Sequence, residues 1–406
     1  MNLAFPLCRE PRHEERIRQA LEQTVRFLTE QIGPSALVAV VLTGSFARGE
    51  GSVLPRDRGL RVLGDFEFFV VLASRRARAE RRRFAQWSRE ASAHLATAGV
   101  QADVEFGPID ADFFRRRARP SIFIWDLRHH GKVLWGQDDV LDELPDFGVE
   151  RIPRDDALFL LFNRVIEQLE AHDRIDELTS DALLDVVYQR LKFSLDLAGS
   201  ALAFAGVHTA SYRRRPAEFA RLAAETPSLG PTVPSWFAGE LARAAEAKLD
   251  PAEHLDWPPP GTDLDEQRAL LRAAIVSAAP AVTAFLRWEL EQRLQLNGAV
   301  DGLLDIYVRT PPLWQRMREW ARIMLHPMPA PLPLSSLGIA RAVLNTTPRA
   351  MLYDAGARAY LALGDEVPGA DDPARRLPLT RAAVPHGAAA RRSAIVALWK
   401  WCIRNN

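Results

Sequence analysis

An α/β module with a mixed sheet and flanking helices, leading into a large all-helical region, is the fold class this sequence predicts. Three observations carry that expectation. Between residues 36 and 136, short β-branched or alternating runs recur between helical stretches. From Asp155 onward apolar residues return at helical spacing and strand signals almost vanish. The chain has 406 residues, more than a single core usually supports, so more than one domain is expected. The expected division is 1–150, 151–260 and 261–406, with proline-rich breaks at "DWPPPGTD" (256–263) and "HPMPAPLPLSS" (326–336).

The elements follow in order. Residues 13–31 place Ile17, Leu21, Val25 and Leu28 on one helical face and stop at Gly33-Pro34. "ALVAVVLT" is a short run suited to a strand buried on both faces, and "FEFFVVL" (66–72) is a second. Between them, "VLPRDRGLRVLG" reads as a hairpin or loop. The arginine-rich stretch 75–97 is helical and ends at Gly99. "VQADVEFGPI" then alternates Val100, Ala102, Val104 and Phe106 with Gln101, Asp103 and Glu105, a strand with one polar face. "HGKVLWG" (130–136) is a turn feeding a fourth strand.

Composition excludes several classes. Lys plus Arg and Asp plus Glu both number 52, so no global field selects nucleic acid or an anionic membrane. The cysteines, Cys8 and Cys402, have no ligand or disulfide spacing, which fits a reducing, cytoplasmic setting. The first residues lack the order of a signal peptide, and the apolar runs 197–212 and 273–286 are shorter than the ~20 residues of a membrane span. No membrane is expected.

The stretch "VVLTGSFARGEGS" (40–52) has the outline of a phosphate loop. Gly44 and Gly49 match part of a Walker loop, but Glu50 stands where that loop needs its lysine. Gly44, Gly49 and Gly51 do not give the dinucleotide spacing either. Taken alone, it is an ordinary exit from a strand. Asp65 and Glu67 change that, because twofold alternation sends both carboxylates to one face of a strand, where they repel unless a cation lies between them. Asp103 and Glu105 can add a further carboxylate. Mg²⁺ suits such oxygen donors combined with phosphates.

Gly44-Ser45, a spacer, Asp65-x-Glu67 and a later acid together resemble the polymerase-beta-type nucleotidyltransferase superfamily. The resemblance covers about residues 36–107, and more loosely continues to Tyr212. It departs from the family in its long spacer and in having Glu67 where Asp is commoner. It implies a nucleotidyltransferase-like fold, with 1–150 the catalytic domain and 151–260 a helical domain completing the nucleotide and acceptor site. It further implies transfer of a nucleoside monophosphate from a triphosphate, ATP favoured, to an acceptor hydroxyl, with release of pyrophosphate. Asp65, Glu67 and Asp103 would hold two Mg²⁺ ions, with Glu105 as the substitute third acid. Gly44, Ser45 and Arg48 would meet the triphosphate, joined by Lys192, Asn163, Arg164 and Tyr212. A small-molecule acceptor is favoured. The run from Arg75 to Arg89, which carries seven arginines against one glutamate, offers a route to a nucleic-acid acceptor, although such runs are usually solvated faces. The alternative is a binding or regulatory module that keeps this fold without catalysis.

Overall fold

The structure, a computed structural model, describes residues 5–73, 81–326, 335–364, 377–378 and 387–405. The predicted architecture is present: a mixed sheet with flanking helices, followed by a helical C-terminal region. The chain divides into two compact units. The first comprises 1–156, 202–219 and 238–256, and the second 157–201, 220–237 and 257–406. Residues 151–260 are therefore distributed over both.

In the first unit, helix α1 (Pro11–Ile32) precedes strand β1 (Leu37–Leu42), the single turn α2 (Gly44–Ala47) and a hairpin of β2 (Ser52–Arg56) and β3 (Gly59–Leu72). Helix α3 (Arg81–Thr97), β4 (Val100–Asp110), α4 (Ile122–His130) and β5 (Lys132–Gly136) follow. The start of the arginine-rich stretch, 74–80, lies outside the described residues. The "VLPRDRGLRVLG" segment is a hairpin, as one of its two readings has it, and makes β3 longer than the 66–72 run that signals it.

β3 organises the sheet. β4 runs parallel to it from Leu60 to Leu72, while β2 pairs with Gly59–Leu63 and β1 with Phe68–Leu72, both antiparallel. A strand has two edges, so β1 and β2 occupy the same one in succession. Residues 64–67 lie in the gap between them. The chain leaves β1 there, folds into the α2 turn and returns as β2, so residues 43–51 stand opposite that gap.

The two faces of the sheet belong to different clusters. Phe66, Phe68, Val70, Val104 and Phe106 pack with Ile17, Leu21 and Val25 of α1 and Phe84 and Leu95 of α3. On the opposite face Ala39, Val41 and Val71 pack with Ile124 and Leu127 of α4 and with Phe114, Val140 and Phe147.

The second unit holds most of α5 (Arg154–Arg174) and α6 (Ser180–Phe204), with further helices. Phe162 of α5 stacks on Tyr353, ring centroids 4.8 Å apart, and Ile166 closes on Gly356, where a Cβ would come within 2.5 Å of it. The C-terminal helix, Ala388–Asn405, is tied to α5 by the Arg392–Asp173 and Lys400–Glu170 ion pairs. Glu289 is wholly buried with Ser200 Oγ 2.6 Å from it, and burial pushes its carboxyl up to about 8. Among the described residues one stretch, Leu264–Leu294, is long and apolar enough to cross a bilayer. It is two helices meeting at Ser277–Ala278, with Leu271, Ile275, Val282 and Phe285 among their buried residues.

Candidate active site

The Gly44 turn is fixed from below. Phe46 is 1% exposed and meets Phe66 edge to face at 4.8 Å, which anchors α2 in the apolar core. Gly51 has room only for hydrogen, since a Cβ would lie 2.2 Å from the Phe46 ring. The Ser45 carbonyl accepts from the Arg48 and Glu50 amides and closes the turn, and Thr43 N donates to Glu67 O at 2.9 Å. Gly44 itself has φ +70°, a left-handed conformation that a side chain strains. A Cβ there would also come 2.5 Å from Glu67 Oε2. The turn and the second acid of Asp65-x-Glu67 are therefore in contact, although 23 positions separate them in sequence.

The acids share one face. Asp65 lies opposite Asp103 and Glu67 opposite Glu105 in the parallel register, while the alternate residues Phe66, Val104 and Phe106 turn into the core. Desolvation, and then the charge of Asp65, raise the Glu105 carboxyl above the usual glutamate range. Burial and a nearby like charge act in the same direction on a carboxylate. Among the described residues no three Asp, Glu, His or Cys side chains are gathered into a group that could hold a metal ion. The face continues past the acids into Phe69, whose ring meets that of Phe123 on α4 at 4.9 Å.

Arg48 lies over the Tyr212 ring, 5.4 Å from its centroid. Its side chain is 10% exposed, and its Nε is buried with no hydrogen-bond partner; the Glu50 carboxylate is 3.8 Å away. Glu50 is itself engaged, accepting from Ser211 Oγ at 2.6 Å and from the amides of Tyr212 and Arg213 at 2.9 and 3.3 Å. The residue that spoils a Walker reading is thus a buried anchor for the 211–213 segment. Beneath it Lys248, 0% exposed, donates to Glu50 O and Ser52 Oγ, each at 2.8 Å.

Tyr212, a candidate for stacking on a base, is buried, with Arg48, Arg215 and Lys248 around its ring. Lys192, Asn163 and Arg164 belong to the second unit. There Asn163 Oδ1 accepts from Tyr353 OH at 2.9 Å and Trp399 Nε1 at 3.0 Å. Arg164 pairs with Asp196 at 2.7 Å and with Glu167. Both residues therefore have local structural partners.

Sequence reasoning missed a second polar group in the first unit. His208 Nε2 lies 2.8 Å from Asp126 Oδ1, and the His208 ring meets Trp125 at right angles, 5.3 Å away. Burial presses the Asp126 carboxyl upward, yet the His208 hydrogen bond and the charges of His208, Arg48 and Arg215 together hold it below the usual range. His130 is depressed, first by burial and then by Arg48, His129 and Lys132, against the opposing pull of Asp126. No spacing rule connects residues 126 and 208, so nothing local signals the pair.

The chain matches no family model. No curated protein matches it either. Among solved structures, it is similar to spectinomycin adenyltransferase from Enterococcus faecialis with ATP and spectinomycin. The likeness has a TM-score of 0.35 and 14% identity, and covers 63% of this chain and 98% of that one.

Proposed function

We propose that the first unit transfers a nucleoside monophosphate from a nucleoside triphosphate, ATP favoured, to an acceptor hydroxyl. The observation that carries this reading is the juxtaposition at the β3 gap: a left-handed Gly44 turn closed against Glu67, with Asp65 and Glu105 electrostatically coupled on the same face.

The side chains at the gap are carboxylates, the oxygen donors a hard divalent cation takes, and such a cation would offset the Asp65 charge that acts on Glu105, although among the described residues no three of them are gathered into a metal-holding group. Asp65 and Glu67 are the residues assigned to hold Mg²⁺, in two ions, with a third acid from β4. Bound Mg²⁺ supplies charge neutralisation for the attacking and leaving oxygens. The chain's own residues supply the rest. Gly44 keeps the path to the backbone clear of a side chain, Ser45 offers its hydroxyl and amide, and the Arg48 guanidinium, whose Nε makes no hydrogen bond and lies 3.8 Å from Glu50, suits phosphate oxygens. The acceptor oxygen attacks the α-phosphorus, the bond to the pyrophosphate oxygen breaks, and the hydroxyl proton passes to a carboxylate. Asp103, with Glu105 as its substitute, is the acid assigned to accept that proton. The balanced charge of the chain favours a small acceptor over a nucleic acid.

Incubating the protein with labelled triphosphates, Mg²⁺ and fractionated cell extract tests the proposal. Pyrophosphate release that depends on one acceptor fraction and is lost in Asp65→Ala is expected. Equal release from wild type and Asp65→Ala with every fraction sinks it.

A further inference from the structure

Arg48 poses a problem that the fold does not solve internally. A guanidinium carries five N–H donors in a rigid fork, and leaving a buried donor unpaired is costly. Yet Arg48 Nε is buried without a partner, and the carboxylate beside it is already taken by Ser211, Tyr212 and Arg213. The nearest acceptor to that Nε, the Glu50 carboxylate, is 3.8 Å away, too far for a hydrogen bond, so the guanidinium is left able to take ligand oxygens. A planar fork next to a turn of this kind matches phosphate.

What lies against the fork is the segment 208–215, fastened at His208 and at Ser211–Arg213. Ser211–Arg213 are fixed by Glu50, and the Tyr212 ring lies under Arg48. Three residues before Ser211, His208 is fixed to α4 through Asp126, with Trp125 against its ring. Asp126 accepts from no other group among the described residues. The charges of Arg48 and Arg215 also act on this carboxylate.

We propose that the Asp126–His208 pair is a latch that seats the 208–215 segment beneath Arg48 and so presents the guanidinium to the phosphates of a nucleoside triphosphate. Asp126 and His208 are positioning residues that act through Arg48 without touching the ligand. The choice of triphosphate rests on the nucleotidyltransferase reading; the latch rests on the geometry of residues 48, 126 and 208–215.

Calorimetric titration of the full-length protein with MgATP, and separately with inorganic tripolyphosphate, tests it in a double-mutant cycle. Asp126→Ala and Arg48→Ala are each expected to weaken MgATP binding about tenfold, and the double variant no more than Arg48→Ala alone. Asp126→Asn keeps an oxygen that can accept from His208 Nε2, so it is expected to bind within about twofold of wild type. Thermal unfolding of each variant confirms that the compared proteins are folded. Should Asp126→Ala fail to fold, His208→Ala in the same cycle with Arg48→Ala takes its place, with the same expectation. Losses that add fully, or wild-type affinity in the latch variant, overturn the latch while leaving the nucleotidyltransferase reading intact. Tripolyphosphate binding with the expected coupling but no MgATP binding supports the latch and removes that reading. Binding of neither probe by wild type overturns both.

Discussion

Adjacent residues on β3 and β4 lead opposite lives on the two faces of one sheet. Phe66, Phe68, Val104 and Phe106 are buried under α1 and α3, where each apolar square ångström removed from water contributes about 25 cal/mol. Asp65, Glu67, Asp103 and Glu105 occupy the alternate positions and set four like charges in register. The first pattern stabilises the fold, and in the second burial and the Asp65 charge disfavour the ionised Glu105. The raised Glu105 carboxyl shows where a like charge on this face is felt.

The contrast can be broken most forcefully at Asp65. Asp65→Asn is expected to lower acceptor-dependent pyrophosphate release by at least about a hundredfold. Its thermal midpoint should equal or exceed that of wild type, because a like charge beside Glu105 is gone. If the variant loses stability as well, the two faces are not separable in the way described.

Phe68→Ala, three residues along the same strand, should do the reverse, costing about 3–5 kcal/mol in urea unfolding. Any loss of turnover it shows should track the unfolded fraction. Gly44→Ala lies between these extremes. The left-handed backbone costs roughly 1–2 kcal/mol with a Cβ present, and the new methyl displaces the Glu67 carboxylate. Turnover should fall further than that stability loss explains, and unaltered turnover would separate the turn from the acid.

The smallest effect sharpens the comparison without breaking it. Carboxyl NMR of Glu105 should show a midpoint above the usual glutamate value that falls when Asp65 is replaced by Asn. The folded state binds this proton more tightly than the unfolded chain does. Its contribution to stability is thus present below the ordinary glutamate pKa and is lost as pH rises toward the raised value. Asp65→Asn narrows that window. A Glu105 midpoint indifferent to residue 65 would mean that the two charges do not meet.

Much of this was legible because it obeys local rules. Twofold alternation placed Asp65 and Glu67 on one face and Asp103 and Glu105 on another strand's matching face, and the sheet brings the two together. The Gly44 turn was legible as a strand exit, though its contact with Glu67 was not. The partners of residues 48–52 were beyond reach for a physical reason: Glu50 meets Ser211 across 161 positions and Lys248 across 198, and Asp126 meets His208 across 82. Periodicity carries no information at such separations. Asn163 and Arg164 show an ambiguity that sequence leaves open, since a polar residue in an apolar helix is equally suited to bind a ligand or a neighbouring helix. The hydroxyl of Tyr353 and the indole of Trp399 engage Asn163 here.

Lys248 sets a condition on how the protein can be cut and made. Its fully buried ammonium is bonded to Glu50 O and Ser52 Oγ, while its own carbonyl accepts from Ser52 at 2.5 Å. During synthesis the turn at residues 44–51 leaves the ribosome almost two hundred residues before the lysine that completes it. A fragment ending near residue 150 keeps every strand of the sheet yet lacks this closure, and would expose Glu50 and Ser52 to water. A fragment of the first unit that keeps this closure extends past residue 248.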